Sequence, residues 1–262
     1  MIFVPLAVGV LAFVGFVGYE RRAKEPMLEL ELFTHRNFAV GNVETFAVYA
    51  GLGILFFFLV IFLQQVAGYT ALESGLATLP VTVVMFALSR RFGALADRYG
   101  PRLFMGAGPL VAAVGISLLL RTGLDTSYST DVLPAMLVFA LGLSMTVAPL
   151  TATVLADAEE GDAGIASAVN NAVARVAGLI GVSILGVVVA QTLIGDTFAE
   201  NDESVRAFHE VVVVCAVLVA AGGVVGTLGI VNPRRPVHAR GCPGGQLVAI
   251  PRPAVHGATT SR

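Results

Sequence analysis

The chain has 262 residues, of which 56% are hydrophobic and 13% are charged, with a mean hydropathy of +0.84 and a formal net charge of −2. Soluble domains carry about 25% charged residues, so this composition excludes a water-soluble globular protein. We expect an integral membrane protein, and the near-neutral net charge indicates no particular partner.

Seven apolar runs follow one another along the chain. They cover residues 1–18, 39–66, 74–89, 103–120, 132–156, 176–195 and 211–231. A membrane-spanning helix needs roughly 17–25 apolar residues, and only the third run, with 16, is shorter. We predict an all-α, polytopic membrane protein with seven transmembrane helices, the third of which continues through Arg90 and Arg91 into Gly93 and Leu95.

Lys and Arg are distributed unequally between the two sides that seven alternating spans define. The connections after spans one, three, five and seven hold 13 of the 16 basic residues, the opposite side holds two, and Arg175 lies at or inside a helix. By the positive-inside rule, residues 20–38, residues 90–102 and the tail 232–262 are cytoplasmic. Met1 then lies on the outer side. The tail holds five Pro and five Arg without apolar periodicity, and we expect it to be disordered.

The amino terminus opens directly into apolar chain, without the basic region and cleavage site of a secretory signal. No feature of this sequence would insert the amino terminus facing outward, so we expect one or more upstream helices in the intact protein. A reversed signal anchor held by Arg21, Arg22 and Lys24 is the alternative.

The polar segment with the clearest chemistry connects helices three and four. Residues 93–103 read Gly-Ala-Leu-Ala-Asp-Arg-Tyr-Gly-Pro-Arg-Leu. Gly100 with Pro101 is typical of a tight reversal that begins the next helix with Pro in its first turn. Gly93 would let two backbones approach closely. Asp97 would pair with a neighbouring Arg, or accept hydrogen bonds from the N-terminus of an adjacent helix, and so stabilise one conformation.

This segment resembles the signature loop of the major facilitator superfamily, Gly-x-Leu-Ala-Asp-Arg-x-Gly-x-Arg, which recurs between the second and third helices of each six-helix half. The resemblance implies that Asp97 holds the cytoplasmic gate closed in the outward-facing state, with Gly93, Arg98, Gly100 and Arg102 in support. The proline before the last arginine departs from the family, which often has a basic residue there, and makes a weaker latch the expectation.

Residues 37–49, 134–156 and 164–186 resemble the second half of bacterial 14-helix drug:proton antiporters, in which two six-helix bundles are joined by two further helices. The resemblance implies that residues 1–19 form the second joining helix and residues 39–231 the C-terminal six-helix bundle. It also implies proton-coupled efflux of drug-like small molecules across the plasma membrane. The implied partner is a missing N-terminal half or another membrane subunit.

Two ionisable residues lie in or near the predicted spans, where a charge buried in lipid is costly and is a functional candidate by default. Glu44 would reach a central cavity as a proton or cation site, or extend to the cytoplasmic surface. Asn170, Asn171 and Arg175 form a polar patch on one helix. That patch would contact substrate, or Arg175 would pair with Glu44 or with the acidic loop 157–162.

Two other interpretations stay open. Asp97-Arg98-Tyr99 at the cytoplasmic end of a third helix is also found in seven-helix G-protein-coupled receptors, although the flanking Gly100 and Arg102 fit the transporter loop better. A non-transporting remnant or assembly partner is the second alternative. The sequence has no metal-ligand spacing, phosphate loop, nucleophile elbow or nucleic-acid signature, so we expect no enzyme activity, metal, cofactor or nucleic-acid partner.

Overall fold

The structure, a computed structural model, describes residues 3–20, 22, 30–156, 163–192 and 198–232. The helices are α1 (Phe3–Glu20), α2 (Arg36–Gln65), α3 (Ala71–Tyr99), α4 (Pro101–Ser117), α5 (Leu133–Ala156), α6 (Ala163–Thr192) and α7 (Asp202–Gly229). Short helical turns cover Leu30–Thr34, Leu118–Arg121 and Tyr128–Val132. No strand occurs in the described part of the chain, which confirms the all-α prediction. The acidic loop 157–162 and most of the tail lie outside the described residues.

Six of the described helices, α2 to α7, are long and apolar enough to cross a membrane, and α1 covers the first predicted span. Most of these helices extend beyond the apolar runs, because polar residues continue a helix where it leaves the hydrocarbon. The third helix passes through Gly93 and Leu95 as predicted and ends at Tyr99. The sixth begins at Ala163, well before its apolar run starts at Val176.

The helices differ in how much of their surface the rest of the protein covers. α2, α4, α5 and α7 pack in the centre, while α3 packs mainly on α5, and α6 mainly on α2. In the apolar stretches of α3 and α6, 17% of the residues are buried, against 56% for α4 and α5. α3 and α6 are therefore edge helices that expose apolar surface.

Small residues let the central helices approach one another closely. At the crossing of α4 and α5, a Cβ added to Gly142 would lie 2.5 Å from the carbonyl oxygen of Gly108, a separation that real side chains do not adopt. Towards one end of the bundle, Phe62 of α2 and Phe208 of α7 stack with ring centroids 4.2 Å apart. Dispersion contacts and close backbone approach thus hold the central helices together.

The connection between α3 and α4 is a single residue, not a loop. Gly100 has φ 92° and ψ 147°, a conformation that favours glycine, and its N–H donates to the carbonyl of Ala96 at 2.8 Å. Pro101 is the first residue of α4, which confirms the predicted reversal. No close backbone approach is seen at Gly93 within the described chain, because a Cβ there would lie 3.7 Å from the Cβ of Ala148, an ordinary contact. A role of this glycine against a further bundle stays a prediction.

Candidate functional site

A cavity of about 480 Å³ opens where α3 ends, between α3 and the last turns of α5. Its lining includes Asp97 on α3, small residues of α5 such as Ala152 and Ala156, and Asn232 beyond the end of α7. Four of the five predicted gating-loop residues line this cavity: Gly93, Asp97, Arg98 and Gly100. The described structure therefore places most of the signature segment around one opening.

Asp97 supplies a carboxylate to the lining of this cavity. Its side chain is exposed and has no hydrogen-bond or ion-pair partner among the residues that the structure describes. The neighbouring Arg98 lies with its guanidinium 5.4 Å from the ring centroid of Tyr99. The pairing with a nearby arginine that we expected for Asp97 is not formed within the described chain. Its charge is available to a group outside the described residues.

Arg102, at the start of α4, binds the end of α7. Its Nε donates to the carbonyl of Thr227 at 2.6 Å, and its backbone N–H donates to Oδ1 of Asn232 at 3.1 Å. The last carbonyls of a helix have no donor within that helix and carry the negative end of its dipole. A guanidinium is well suited to bind them, so Arg102 fixes the end of α7 to the start of α4.

Two residues at the start of α2 bind the same end of α7. Arg36 donates from Nε to the carbonyl of Gly229 at 2.8 Å. Asn37 makes a reciprocal pair with the backbone of Val231, donating from Nδ2 at 3.1 Å and accepting at Oδ1 at 2.9 Å. We call Arg36, Asn37, Arg102 and Asn232 the α7 clamp.

The α7 clamp was not predicted, although the sequence holds a signal for it. Arg36 and Arg102 lie in the first turns of α2 and α4, where the positive end of their own helix dipole disfavours a cation. A basic residue in that position indicates an acceptor supplied by another element. Here the acceptors are the carbonyls that end α7.

Glu44 lies in neither of the places expected from the sequence. Its residue is 0% exposed, and among the residues that the structure describes both of its carboxyl oxygens lack a hydrogen-bond partner. The ideal Cβ position of Gly226 on α7 is 2.5 Å from Oε2 of Glu44 and 2.7 Å from the carbonyl oxygen of Met105 on α4. The side chain is therefore enclosed by α2, α4 and α7, and reaches neither a cavity nor the surface.

Asn170 is a contact between helices. Its Nδ2 donates to Oγ1 of Thr45 at 2.8 Å and to Oδ1 of Asn42 at 3.3 Å, and both of these α2 residues are buried. Buried polar groups need such partners. Asn170 therefore ties the edge helix α6 to α2.

Asn171 and Arg175 lie elsewhere on α6. Both are exposed, and Asn171 donates to the carbonyl of Ser167 within its own helix. The expected ion pair between Arg175 and Glu44 is wrong, because the Glu44 carboxyl has no partner. Since α6 starts at Ala163, Arg175 lies well inside the helix and not at its beginning. The four predicted pathway residues thus occupy three separate environments.

The family model of the Major Facilitator Superfamily matches residues 1–182. The chain belongs to the major facilitator superfamily. This assignment confirms the resemblance seen in the sequence and replaces the receptor interpretation of the Asp97-Arg98-Tyr99 tripeptide. The chain is a multi-pass membrane protein of a transporter family.

Three relatives show the kind of protein that this major facilitator chain is similar to. The puromycin resistance protein pur8 of Streptomyces alboniger is 34% identical over 70% of this chain and 37% of its own length. The tetracenomycin C resistance and export protein of Streptomyces glaucescens is 30% identical over 75% and 36%. The multidrug transporter protein MdtP of Bacillus subtilis is 29% identical over 70% and 34%. The chain spans about a third of the length of these relatives.

Proposed function

We propose that this major facilitator chain is the C-terminal half of a proton-coupled exporter of drug-like small molecules, working by alternating access in the plasma membrane. Residues 1–19 would be a joining helix and residues 39–231 the second six-helix bundle, with the 90–102 turn on the cytoplasmic side. The names of three relatives, which describe drug resistance or export, support the substrate class. The exposed apolar faces of α3 and α6 are suited to contact a further helical bundle.

The observation that carries the proposal is the carboxylate of Asp97, which lies beside the cavity and has no partner among the described residues. A gate must form contacts in one state and break them in the other. A side chain that is already bound within its own bundle would first have to break those bonds. Asp97 has none to break, so it can exchange between water and the N-terminus of a helix in the partner half. Gly100 and Arg102 would then support the gate indirectly, by shaping the turn and by holding α7.

The substrate path would run along the exposed side of α6. Asn171 and Arg175 lie one turn apart there, and an arginine in a membrane segment is stable where it reaches water or a polar ligand. Asn170 is a poorer candidate for substrate contact, because its amide is already bound to Asn42 and Thr45.

The test is efflux of ethidium from cells that lack their own drug exporters, measured with the intact transporter. We expect Asp97→Asn to abolish efflux while the amount of protein in the membrane stays unchanged. Asp125→Asn is the matched control, because Asp125 is also an exposed carboxylate but lies in the connection between α4 and α5. Full efflux by Asp97→Asn would refute the gate.

The proton coupling and the need for a partner half are tested in the same cells. We expect a protonophore to stop efflux, and the 262-residue chain expressed alone to give none. Efflux that persists with the protonophore would refute proton coupling. Efflux by the chain alone would refute its assignment as a half-transporter. Thiol labelling of a cysteine placed in the 90–102 turn should require permeabilised cells, as a cytoplasmic position does.

A further inference from the structure

The interior of the bundle holds a carboxyl group that the proposed gate and substrate path do not use. Glu44 is fully buried, and neither of its oxygens has a hydrogen-bond partner in the described part of the chain. An ionised carboxylate without a partner in an apolar interior costs many times the stabilisation of an ordinary contact, so such a group takes up a proton or finds a donor.

α4 offers a free acceptor. Pro109 lies inside α4, and proline has no N–H, so the carbonyl of Met105 four residues earlier lacks its helical donor. Met105 is 0% exposed, which removes water as a ready substitute. Its carbonyl oxygen and Oε2 of Glu44 both lie within 2.7 Å of one point, the ideal Cβ position of Gly226. Two acceptors therefore lie close together, a carboxyl without a partner among the described residues and a carbonyl without its helical donor, and only a glycine on α7 leaves room for them.

We propose that Glu44 and the free carbonyl of Met105 form a proton-binding site inside the bundle, closed by Gly226 of α7. A single proton satisfies both groups: it is covalently bound to Glu44, and the resulting O–H donates to the Met105 carbonyl after a small side-chain rotation. Without the proton, two negative oxygens would face each other in an apolar interior. Proton uptake and the packing of α7 against α2 and α4 are therefore linked.

The charged groups on the surrounding helices do not replace the proton. α2 and α4 each contribute one guanidinium near this end, from Arg36 and Arg102, and both donate to carbonyls of α7 and not to Glu44. The remaining ionisable side chains on the three helices are Tyr49 on α2, and Asp202, Glu203, Arg206, His209, Glu210 and Cys215 on α7. The α7 residues precede Gly226 by three or more turns of helix.

The α7 clamp gives this site a route to open. Arg102 binds Thr227, the residue after Gly226, and Arg36 binds Gly229. Release of the α7 clamp would let the end of α7 move away from Glu44 and admit water. The carboxyl of Glu44 could then lose its proton to the side of the membrane on which α3 also ends. This inference specifies where a proton would bind in the proposed exporter, but its test reads protonation and not transport.

The experiment is infrared spectroscopy of the full chain in lipid nanodiscs at pH 7. We expect a carbonyl band of a protonated carboxylic acid, absent for a carboxylate, that disappears completely in Glu44→Gln. Pro109→Ala returns a helical N–H to the Met105 carbonyl, so it should move the band to higher frequency as the hydrogen bond from Glu44 weakens. Pro80→Ala, which changes a helix-interior proline on α3, is the control and should leave the band in place.

Three results would overturn the site: no protonated-carboxyl band in the wild-type chain, a band that Glu44→Gln leaves intact, or a Pro109→Ala spectrum that matches Pro80→Ala. If Glu44→Gln does not fold, the two proline variants and the wild-type band still decide the matter. A chain that shows the band but gives no efflux in the intact transporter refutes the proposed function alone. Efflux without the band refutes this site alone.

Discussion

The ends of α3 and α7 meet at one end of the bundle, but they are held in opposite ways. The end of α7 is bound by Arg36, Asn37 and Arg102, which pair its last carbonyls and the following backbone. Asn232, which follows α7, accepts in turn from the backbone N–H of Arg102. The last turns of α3 carry Asp97, whose carboxylate has no partner in the described structure. The two ends touch at Gly100, where an added Cβ would lie 2.5 Å from the side chain of Asn232.

This difference separates two roles within one signature segment. Asp97 and Arg102 are close in sequence and carry opposite charges, so a sequence pattern suggests that they act together. The structure instead assigns Arg102 to α7 through its bond to Thr227. A fixed α7 provides a rigid base, against which a free carboxylate on α3 can make and break contacts.

Among the residues at these two helix ends, the largest effect on stability is expected from removing both arginines of the α7 clamp. Arg36→Ala combined with Arg102→Ala leaves three α7 carbonyls without donors and should lower the free energy of unfolding by about 1–2 kcal/mol, since each cation at a helix C-terminus contributes roughly 0.3–1 kcal/mol or more when partly buried. Thermal unfolding in detergent, followed by labelling of the buried thiol of Cys215 in a Cys242→Ser background, measures this.

The matched control removes two arginines that form no hydrogen bond or ion pair among the described residues. Arg91→Ala combined with Arg98→Ala deletes the same charge from the neighbouring end of α3, where both side chains are exposed. We expect its unfolding temperature to stay within a degree or two of the wild-type value. Equal losses in the two double variants would show that net charge, and not the α7 clamp, sets the stability.

A smaller loss is expected at Asn37. Asn37→Ala removes both hydrogen bonds to the backbone of Val231 and should cost about 1 kcal/mol, the usual net value of a hydrogen bond in this partly exposed setting. Asn37→Asp keeps the acceptor for the N–H of Val231 but places a negative charge beside the end of the α7 dipole, so it should rescue little. Full rescue by Asp would mean that only the accepted hydrogen bond matters. The same thiol-labelling assay measures both variants.

Much of the fold could be predicted from the sequence, because lipid requires each spanning segment to bond its own backbone. Apolar runs therefore mark helices directly. Gly100 and Pro101 also predicted their turn, because φ near 92° at Gly100 and proline at a helix start are local properties. The start of α6 was missed because the polar residues Asn170, Asn171 and Arg175 end the apolar run at Val176, whereas the helix continues back to Ala163.

The site could be predicted less well, because its contacts join residues far apart in sequence. Arg36 and Gly229 are separated by 193 positions, and no local pattern reports such a pair. The environment of Glu44 depends on Gly226 and on the proline that frees the Met105 carbonyl, which lie on two other helices. Position in an apolar run indicates burial, but it does not indicate which helices surround the side chain.

A smaller effect still is expected for stability at Asp97. Asp97→Asn should change the free energy of unfolding by no more than about 0.5 kcal/mol, the usual range for exposed positions without partners. A double-mutant cycle with Arg102→Ala should give a coupling energy below about 0.5 kcal/mol, because the two side chains share no contact. A coupling above about 1 kcal/mol would reveal an ion pair in solution and would mean that Asp97 and Arg102 act together.

The smallest effect is expected at Gly93, the one signature glycine that packing does not require. Gly93→Ala places a methyl group 3.7 Å from Ala148 and should be neutral, or stabilising by up to about 1 kcal/mol, because alanine favours a helix more than glycine does. Gly142→Ala is the matched comparison, since its methyl group would overlap the backbone of α4, and it should be strongly destabilising. If Gly93→Ala nevertheless impairs efflux in the intact transporter, the glycine is needed for contact with the partner half. That result would mean that the part of α3 that contacts the partner half extends from Asp97 back to Gly93.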